Sequence, residues 1–331
     1  MPTLVLAHRE VTELLDMAGL VPLMRRTLVE LSRGEIAMPP RQMLPHPDQP
    51  GLIAWMPAVL RGGDPFGSKV ISVYPENRQR GMHTHQGVVV LFRPKTGEVR
   101  AIVDADAVTA RRTAAVSAAA TDLLALPDAA ELGLIGSGTL AETHLEAMLG
   151  VRPIRRVRVY ARRPESLRDF AERMSVLFEV EVQPAADAQT AVVDADIVCT
   201  LTDARSPVLE GAWLHPGAHV NAVGASVGGF RELDDETVRR SLVFVDSLLH
   251  ALPQADDLRL PIEAGVVGPE HVRGEIGAVA DGRLQGRRQP DDVTLFKSVG
   301  LAAEDMAAAA YCVERAEALG LGTWIEFGAG R

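Results

Sequence analysis

The sequence predicts an α/β protein in which a doubly wound parallel sheet follows a separate α+β region. Three observations predict it. Residues 132–144, LGLIGSGTLAETH, read as an apolar strand that turns on Gly136-Ser137-Gly138 into a helix. Short apolar runs then alternate with helical stretches, which suits right-handed crossovers. Before residue 127 the strand-like runs have short connections, which suits an antiparallel or mixed sheet.

Taking the elements in order, Val11, Leu14 and Leu15 and then Leu20, Leu23, Leu28 and Leu31 recur at helical spacing. Residues 10–33 are therefore expected as one or two amphipathic helices, with Gly34 as the stop. Met38-Pro39-Pro40-Arg41 is held extended by its prolines. Residues 52–56, 69–74, 87–92 and 99–103 read as strands, the last two joined by a hairpin turn at 95–98. Residues 106–126 form an alanine-rich helix carrying Thr109, Arg111, Arg112 and Thr113. Pro127 ends it and marks a domain boundary. Beyond the glycine turn, strands are expected at 157–160, 180–182, 197–201, 219–223 and 242–246, with Pro164 in the first turn of a helix. Residues 295–300 close this domain, and 301–319 form a long alanine-rich helix whose place the pattern leaves open.

Composition narrows the function classes. A chain of 331 residues has room for two domains. A net charge of −10 argues against a nucleic-acid or membrane-surface binder. No apolar stretch approaches the roughly 20 residues of a membrane span. Residues 4–7 are too short an apolar run for a secretory signal. Cys199 and Cys312 have no partner at disulfide or zinc spacing, which fits a reducing cytoplasm.

The glycine turn carries the first chemistry. Free N–H groups and the helix dipole at the start of the helix suit a pyrophosphate. Gly136 permits the turn, Gly138 lets a phosphate approach, and Ala141 is the third small position of a dinucleotide fingerprint. Ser137, Thr139 and Leu140 line the same turn. An NAD site usually has an acid after the second strand, to accept from the ribose hydroxyls. Here Arg162 and Arg163 stand there, which favours a 2′-phosphate and hence NADPH, with NADH possible. The plain alternative is two solvated surface arginines. Thr200, Leu201 and Thr202 follow the fourth strand, where such a sheet meets its ligand.

The first region supplies polar residues in apolar settings. Arg41 follows two prolines, Lys69 begins a strand, His83-Thr84-His85-Gln86 precedes another, and Arg112 sits among alanines. Two arginines and a lysine, if they converge, make a carboxylate pocket. A solvated edge position is the ordinary alternative for Lys69. No further ligand spacing supports a metal at His83 and His85, so no metal is expected.

Several segments resemble, in order and over nearly the whole chain, the ornithine cyclodeaminase/μ-crystallin family. They are MPPRQMLP (38–45), GSKVISVYPEN (67–77), THQGVVVLF (84–92), TARRTAAVSAAAT (109–121), the glycine turn, GAWLHPGAHVNAVGAS (211–226), RELDDE (231–236) and TLFKSVG (294–300). The resemblance implies a homodimer with a Rossmann-type NAD(P) domain at 128–300. It also implies a discontinuous α+β substrate-binding and dimerisation domain, from residues 1–127 and 301–331. Cyclodeaminases of this family carry an aspartate where Ser226 stands here, and a serine cannot supply that carboxylate. The segments 84–86, 110–118 and 223–236 look like the ketimine reductase branch. Leu140 stands where the family often has glutamine.

The implied activity is NAD(P)H-dependent reduction of cyclic ketimine carboxylates, Δ1-pyrroline-2-carboxylate to L-proline and Δ1-piperideine-2-carboxylate to L-pipecolate. Arg41 and Arg112 would bind the carboxylate. Lys69 is the first choice of proton donor and His85 the second. Thr84 and Ser226 would orient the substrate, while Arg112, Thr113, Val223, Lys297 and Ser298 would reach the cofactor. The alternatives are a cyclodeaminase, an alanine-type amino-acid dehydrogenase, and an NADPH-dependent binding protein with little turnover.

Overall fold

The computed structural model describes residues 1–326, apart from the side chains of Arg78 and Gln79. Residues 327–331, placed in the first domain from sequence, lie outside the described residues. The chain forms two compact units, residues 1–113 with the chain from Leu301 onward, and residues 114–300. The division falls inside the long helix and not after it at Pro127. The helix serves both units: Arg111 donates to the Leu15 carbonyl of the first, while Ser117 and Thr121 bond within the second.

The first unit opens with strand β1 (Thr3–Leu6), where the sequence shows only a short apolar run. Helices α1 (His8–Leu14) and α2 (Met17–Ser32) are separated because Asp16 caps α2, accepting from the Gly19 N–H at 2.8 Å. Strands β2 (Gln42–Pro45), β3 (Leu52–Val59), β4 (Phe66–Val73), β5 (His85–Phe92) and β6 (Val99–Asp104) follow as antiparallel neighbours, then helix α3 (Ala105–Leu124).

The second unit runs β7 (Glu131–Ile135), α4 (Thr139–Val151), β8 (Arg156–Tyr160), α5 (Pro164–Phe178), β9 (Glu181–Pro184), α6 (Ala188–Val192), β10 (Ile197–Thr200), β11 (His219–Ala222), α7 (Asp235–Arg240), β12 (Ser241–Val245), α8 (Leu248–Gln254), α9 (Asp256–Glu263), β13 (Val272–Glu275), α10 (Ile276–Ala280) and β14 (Val293–Lys297). Its sheet order is β13-β12-β14-β11-β10-β7-β8-β9, and each adjacent pair is parallel. Strands β10, β11 and β14 are buried along their whole length, as a sheet covered on both faces requires. The chain leaves β7 toward β8 on one side and returns to β10 on the other. The carboxyl ends of β7 and β10 are therefore the switch point where such sheets take ligands. β13 gives no clear signal in the sequence.

Helix α11 (Ala302–Leu319) and strand β15 (Thr323–Ile325) return the chain to the first unit. That sheet has the order β15-β1-β6-β5-β4-β3-β2, with β1 parallel to β6 and the rest antiparallel. α11 packs against α2 and across β3, β4 and β5. Its run of buried alanines lets it lie close to the sheet. On the outer side of β2 and β3, Leu44 pairs across the strands with Ile53, and Trp55 follows on the same face. All three are exposed.

The C-terminal carbonyls of α3 are satisfied by arginine. Arg152 donates to the carbonyls of Thr121, Asp122, Ala125 and Leu126 at 2.9–3.1 Å, and Arg287 donates to that of Leu124 at 2.7 Å. Arg152→Ala strips the acceptors at once and is expected to lower stability by about 2–3 kcal/mol. A chemical denaturation midpoint equal to wild type would show that water caps the helix as well.

Candidate functional site

In the second unit the glycine turn joins β7 to α4. Gly136 has φ +122°, and a Cβ there would lie 2.8 Å from the Leu201 carbonyl oxygen, so only glycine fits. Gly138 is the N-cap of α4, no side chain caps that end, and a Cβ at Gly138 would meet nothing within 4 Å. Ser137, Gly138 and Thr139 are open to solvent or half-buried, Leu140 is half-buried, and Ala141 is buried. A turn with an uncapped helix start and open space over its second glycine is what a phosphate needs.

Arg162 and Arg163 follow β8 as expected. Arg163 is exposed at the N-cap of α5. Arg162 is 83% exposed, with Asp203 at 3.4 Å. Thr200 and Thr202 do not offer their hydroxyls outward: both donate to the buried carboxylate of Glu232, at 2.9 and 2.7 Å. Lys297, at the end of β14, is fully buried and pairs with Asp257 at 2.9 Å. Ser298 donates to Asp246 at 3.3 Å, and Asp246 also accepts from the N–H groups of Val299 and Gly300. Val223 is buried, and Ser226 is half-buried in the loop after β11.

In the first unit a charged cluster is buried under α11. Lys69 does not begin its strand. It lies in the middle of β4, between β3 and β5, because Phe66, Gly67 and Ser68 continue the ladder. Alternation puts Lys69 on the face of Gly67, where a Cβ would lie 3.1 Å from Met306 Sδ of α11. Its Nζ is 2.6 Å from Asp305 Oδ2 and donates to Thr109 Oγ1 at 3.2 Å. Arg112 of α3 donates through Nε to Asp305 at 2.9 Å and through Nη1 to Glu304 at 2.6 Å. Glu304 also accepts from the Leu301 N–H, closing the start of α11. Thr113 is buried and turns its hydroxyl to the Thr109 carbonyl.

The electrostatics follow from burial. Burial pushes the Lys69 ammonium down to about 8; Asp305 opposes this, and Arg112 and Arg41 add to it. Burial alone would raise the Asp305 carboxyl, yet Arg112 and Lys69 together hold it below its ordinary range. Arg41, half-buried ahead of β2, is thus near enough to act on Lys69.

His85 stands apart from this cluster. Val89, not His85, faces Lys69 across the ladder, and His85 pairs with Val73. Four residues of strand separate His85 from Val89, about 13 Å. His85 contacts Thr84 Oγ1 at 3.1 Å and is exposed. Asp305, Glu304 and Glu232 are not among the site residues predicted from sequence, and Thr109 is predicted only as part of the alanine-rich helix. The signal for the first two was two adjacent acids inside an alanine-rich helix.

The model of the ornithine cyclodeaminase/mu-crystallin family matches residues 1–320. The chain belongs to that family. Within it, the chain is 35% identical over 325 residues to a Δ1-pyrroline-2-carboxylate reductase of Bacillus cereus, covering 98% of this chain and 100% of the relative. The structure of the Δ1-pyrroline-2-carboxylate reductase of Thermococcus litoralis, in complex with NADH and L-proline, superposes with a TM-score of 0.94 at 36% identity, covering 97% and 99% of the two chains. An archaeal alanine dehydrogenase dimer with bound NAD superposes with a TM-score of 0.92 at 31% identity, covering 99% and 100%. The Rossmann-type fold and the family resemblance drawn from sequence are both confirmed.

The lowered Lys69 value has a consequence for stability. Its folded value is about 8 against an ordinary 10.5, so the unfolded chain holds the proton more tightly. The cost of burying the ammonium is fully present below pH 8 and disappears as pH rises toward 10.5. Wild type should therefore gain about 2–3 kcal/mol relative to Lys69→Met across that interval, measured by urea denaturation. A constant difference would mean that Lys69 binds its proton as tightly in the fold as in the unfolded chain.

Proposed function

We propose that the protein reduces cyclic ketimine carboxylates, Δ1-pyrroline-2-carboxylate to L-proline and Δ1-piperideine-2-carboxylate to L-pipecolate, with a nicotinamide dinucleotide. The observation that carries this reading is Lys69, buried between Asp305 and Thr109 and lowered to about 8. A protonated imine accepts hydride far better than a neutral one, and a lysine in this range holds a transferable proton at neutral pH. Arg41 and Arg112 take the substrate carboxylate, with Glu304 and Asp305 fixing the orientation of Arg112. Thr84 and Ser226 orient the ring.

The cofactor, when bound, supplies the hydride. Ser137, Gly138, Thr139 and Leu140 at the start of α4 hold its pyrophosphate by backbone N–H groups, and Arg162 and Arg163 hold a 2′-phosphate, so NADPH is preferred and NADH accepted. Thr200, Leu201, Thr202, Val223, Lys297 and Ser298 shape the rest of that site at the carboxyl ends of β10, β11 and β14. The cytoplasm is the fitting compartment, since the buried Cys199 and Cys312 are free thiols.

An alanine-type dehydrogenase is the second reading, favoured by the likeness to the archaeal alanine dehydrogenase. The same lysine and arginines would serve an open-chain imine. The exposed apolar face of Leu44, Ile53 and Trp55 is the surface for a second copy of the chain. A monomer mass by light scattering would defeat that assignment.

The test is the loss of NADPH absorbance with each cyclic imine, beside NADH and beside oxidation of L-alanine with NAD+. Rapid NADPH oxidation with Δ1-pyrroline-2-carboxylate is expected, and Lys69→Met should cut it about a hundredfold or more. Arg162→Ala combined with Arg163→Ala should weaken NADPH more than NADH. Turnover of L-alanine alone would replace the first reading by the second.

A further inference from the structure

Glu232 is fully buried and accepts five hydrogen bonds. Its Oε1 takes the N–H and the hydroxyl of Thr202, at 2.6 and 2.7 Å. Its Oε2 takes the Thr200 hydroxyl at 2.9 Å and the N–H groups of Gly224 and Ala225 at 2.8 and 3.2 Å. One carboxylate thus joins the loop after β10 to the loop after β11. Three of the five partners are backbone N–H groups, which can only donate, so both carboxyl oxygens are held as acceptors. Burial pushes it above its ordinary range, Lys297 opposes this and Asp257 adds to it.

Glu232 is itself held in place. Asp257 Oδ1 accepts from the N–H groups of Glu232 and Leu233 at 2.7 and 2.9 Å, while its Oδ2 pairs with Lys297 at 2.9 Å. The network therefore spans the carboxyl ends of three adjacent strands, β10, β11 and β14.

The loop 200–202 has no slack. A Cβ on Gly136 would stand 2.8 Å from the Leu201 oxygen, and one on Gly224 would stand 2.0 Å from the Thr202 oxygen. The loop is thus packed between the glycine turn on one side and the loop leading to Ser226 on the other. A shift of Thr202 moves both.

We propose that Glu232 is a positioning residue for the dinucleotide, fixing the 200–202 loop between the glycine turn and the loop that carries Ser226. This rests on the dinucleotide reading of the glycine turn. Glu232 touches neither substrate nor cofactor in this role; it acts through Thr200, Thr202, Gly224 and Ala225. Glu232→Gln keeps the size but turns an amide N–H2 toward donors, so part of the set loses its acceptor. Thr202→Val removes one hydroxyl and leaves the backbone bond.

The experiment titrates wild type, Glu232→Gln and Thr202→Val with NADH and NADPH by fluorescence, with melting curves on the same samples and kcat and KM for Δ1-pyrroline-2-carboxylate reduction. Glu232→Gln should raise the cofactor Kd about tenfold or more, which is about 1.4 kcal/mol. Thr202→Val should raise it about threefold, with cofactor KM rising more than kcat falls. A purely structural role lowers the melting point and the active fraction but leaves Kd and KM alone, and that result overturns the proposal. If Glu232→Gln does not fold, Thr202→Val decides by the same readout. Wild type that binds neither dinucleotide would instead defeat the reading of the glycine turn, and the proposal with it.

Discussion

Both units depend on one constraint: a charge taken out of water must be met by opposite charge and by hydrogen bonds placed for it. Lys69 is 2% exposed and Asp305 is not exposed at all. Neither could stay there alone. α11 brings Asp305 to the sheet, β4 brings Lys69 and α3 brings Arg112, so the three elements are mutually necessary. This is why the chain after residue 300 has to return to the first unit. A helix of alanines could lie on the sheet at many registers, but only one places two acids against a buried lysine and arginine.

The second unit solves the same problem with carboxylates that accept backbone N–H groups. Asp246 accepts from Val299 and Gly300, Asp257 from Glu232 and Leu233, and Glu232 from Thr202, Gly224 and Ala225. All three lie near the carboxyl ends of the parallel strands. There the loops leave the ladder, and their N–H groups have lost their strand partners. A loop held by a buried carboxylate is rigid where an ordinary surface loop is mobile, and a ligand site at that edge needs rigidity.

Much of this was legible in the sequence where the signal is local. The alternation of strands and helices gave β7, β8, β10, β11, β12 and β14, and the glycines of 136–138 marked the turn. β1 showed only as a short apolar run, β13 escaped because Arg273, Gly274 and Glu275 leave it no apolar run, and β15 is only three residues long. Arg41, Lys69 and Arg112 stood out as polar residues in apolar settings, yet their mutual electrostatic coupling required the sheet register and α11. Asp305 was the harder case. A carboxylate on a helix reads as a solvated face until its helix is known to be buried on nearly every side. Thr200 and Thr202 were legible as residues near a ligand edge, but not as donors to Glu232, which lies thirty residues on in the RELDDE segment, whose sequence does not show what it accepts from.

The arginines separate into two kinds, and the separation bears on cofactor choice. Arg112, Arg152 and Arg287 each have their guanidinium fixed by carbonyls or carboxylates of the fold. Arg162, among the described residues, pairs with Asp203 at 3.4 Å and remains 83% exposed. An exposed pair of that length contributes about 0–1 kcal/mol. Exchanging it for a doubly charged phosphate with fork geometry gives up little and gains charge-assisted bonds. An acid after β8 would have accepted from the ribose hydroxyls; a loosely held arginine there leaves the fold intact whether or not a phosphate arrives. The weak pair with Asp203 thus leaves Arg162 able to turn toward a ligand at the carboxyl edge of the parallel sheet at little cost to the fold.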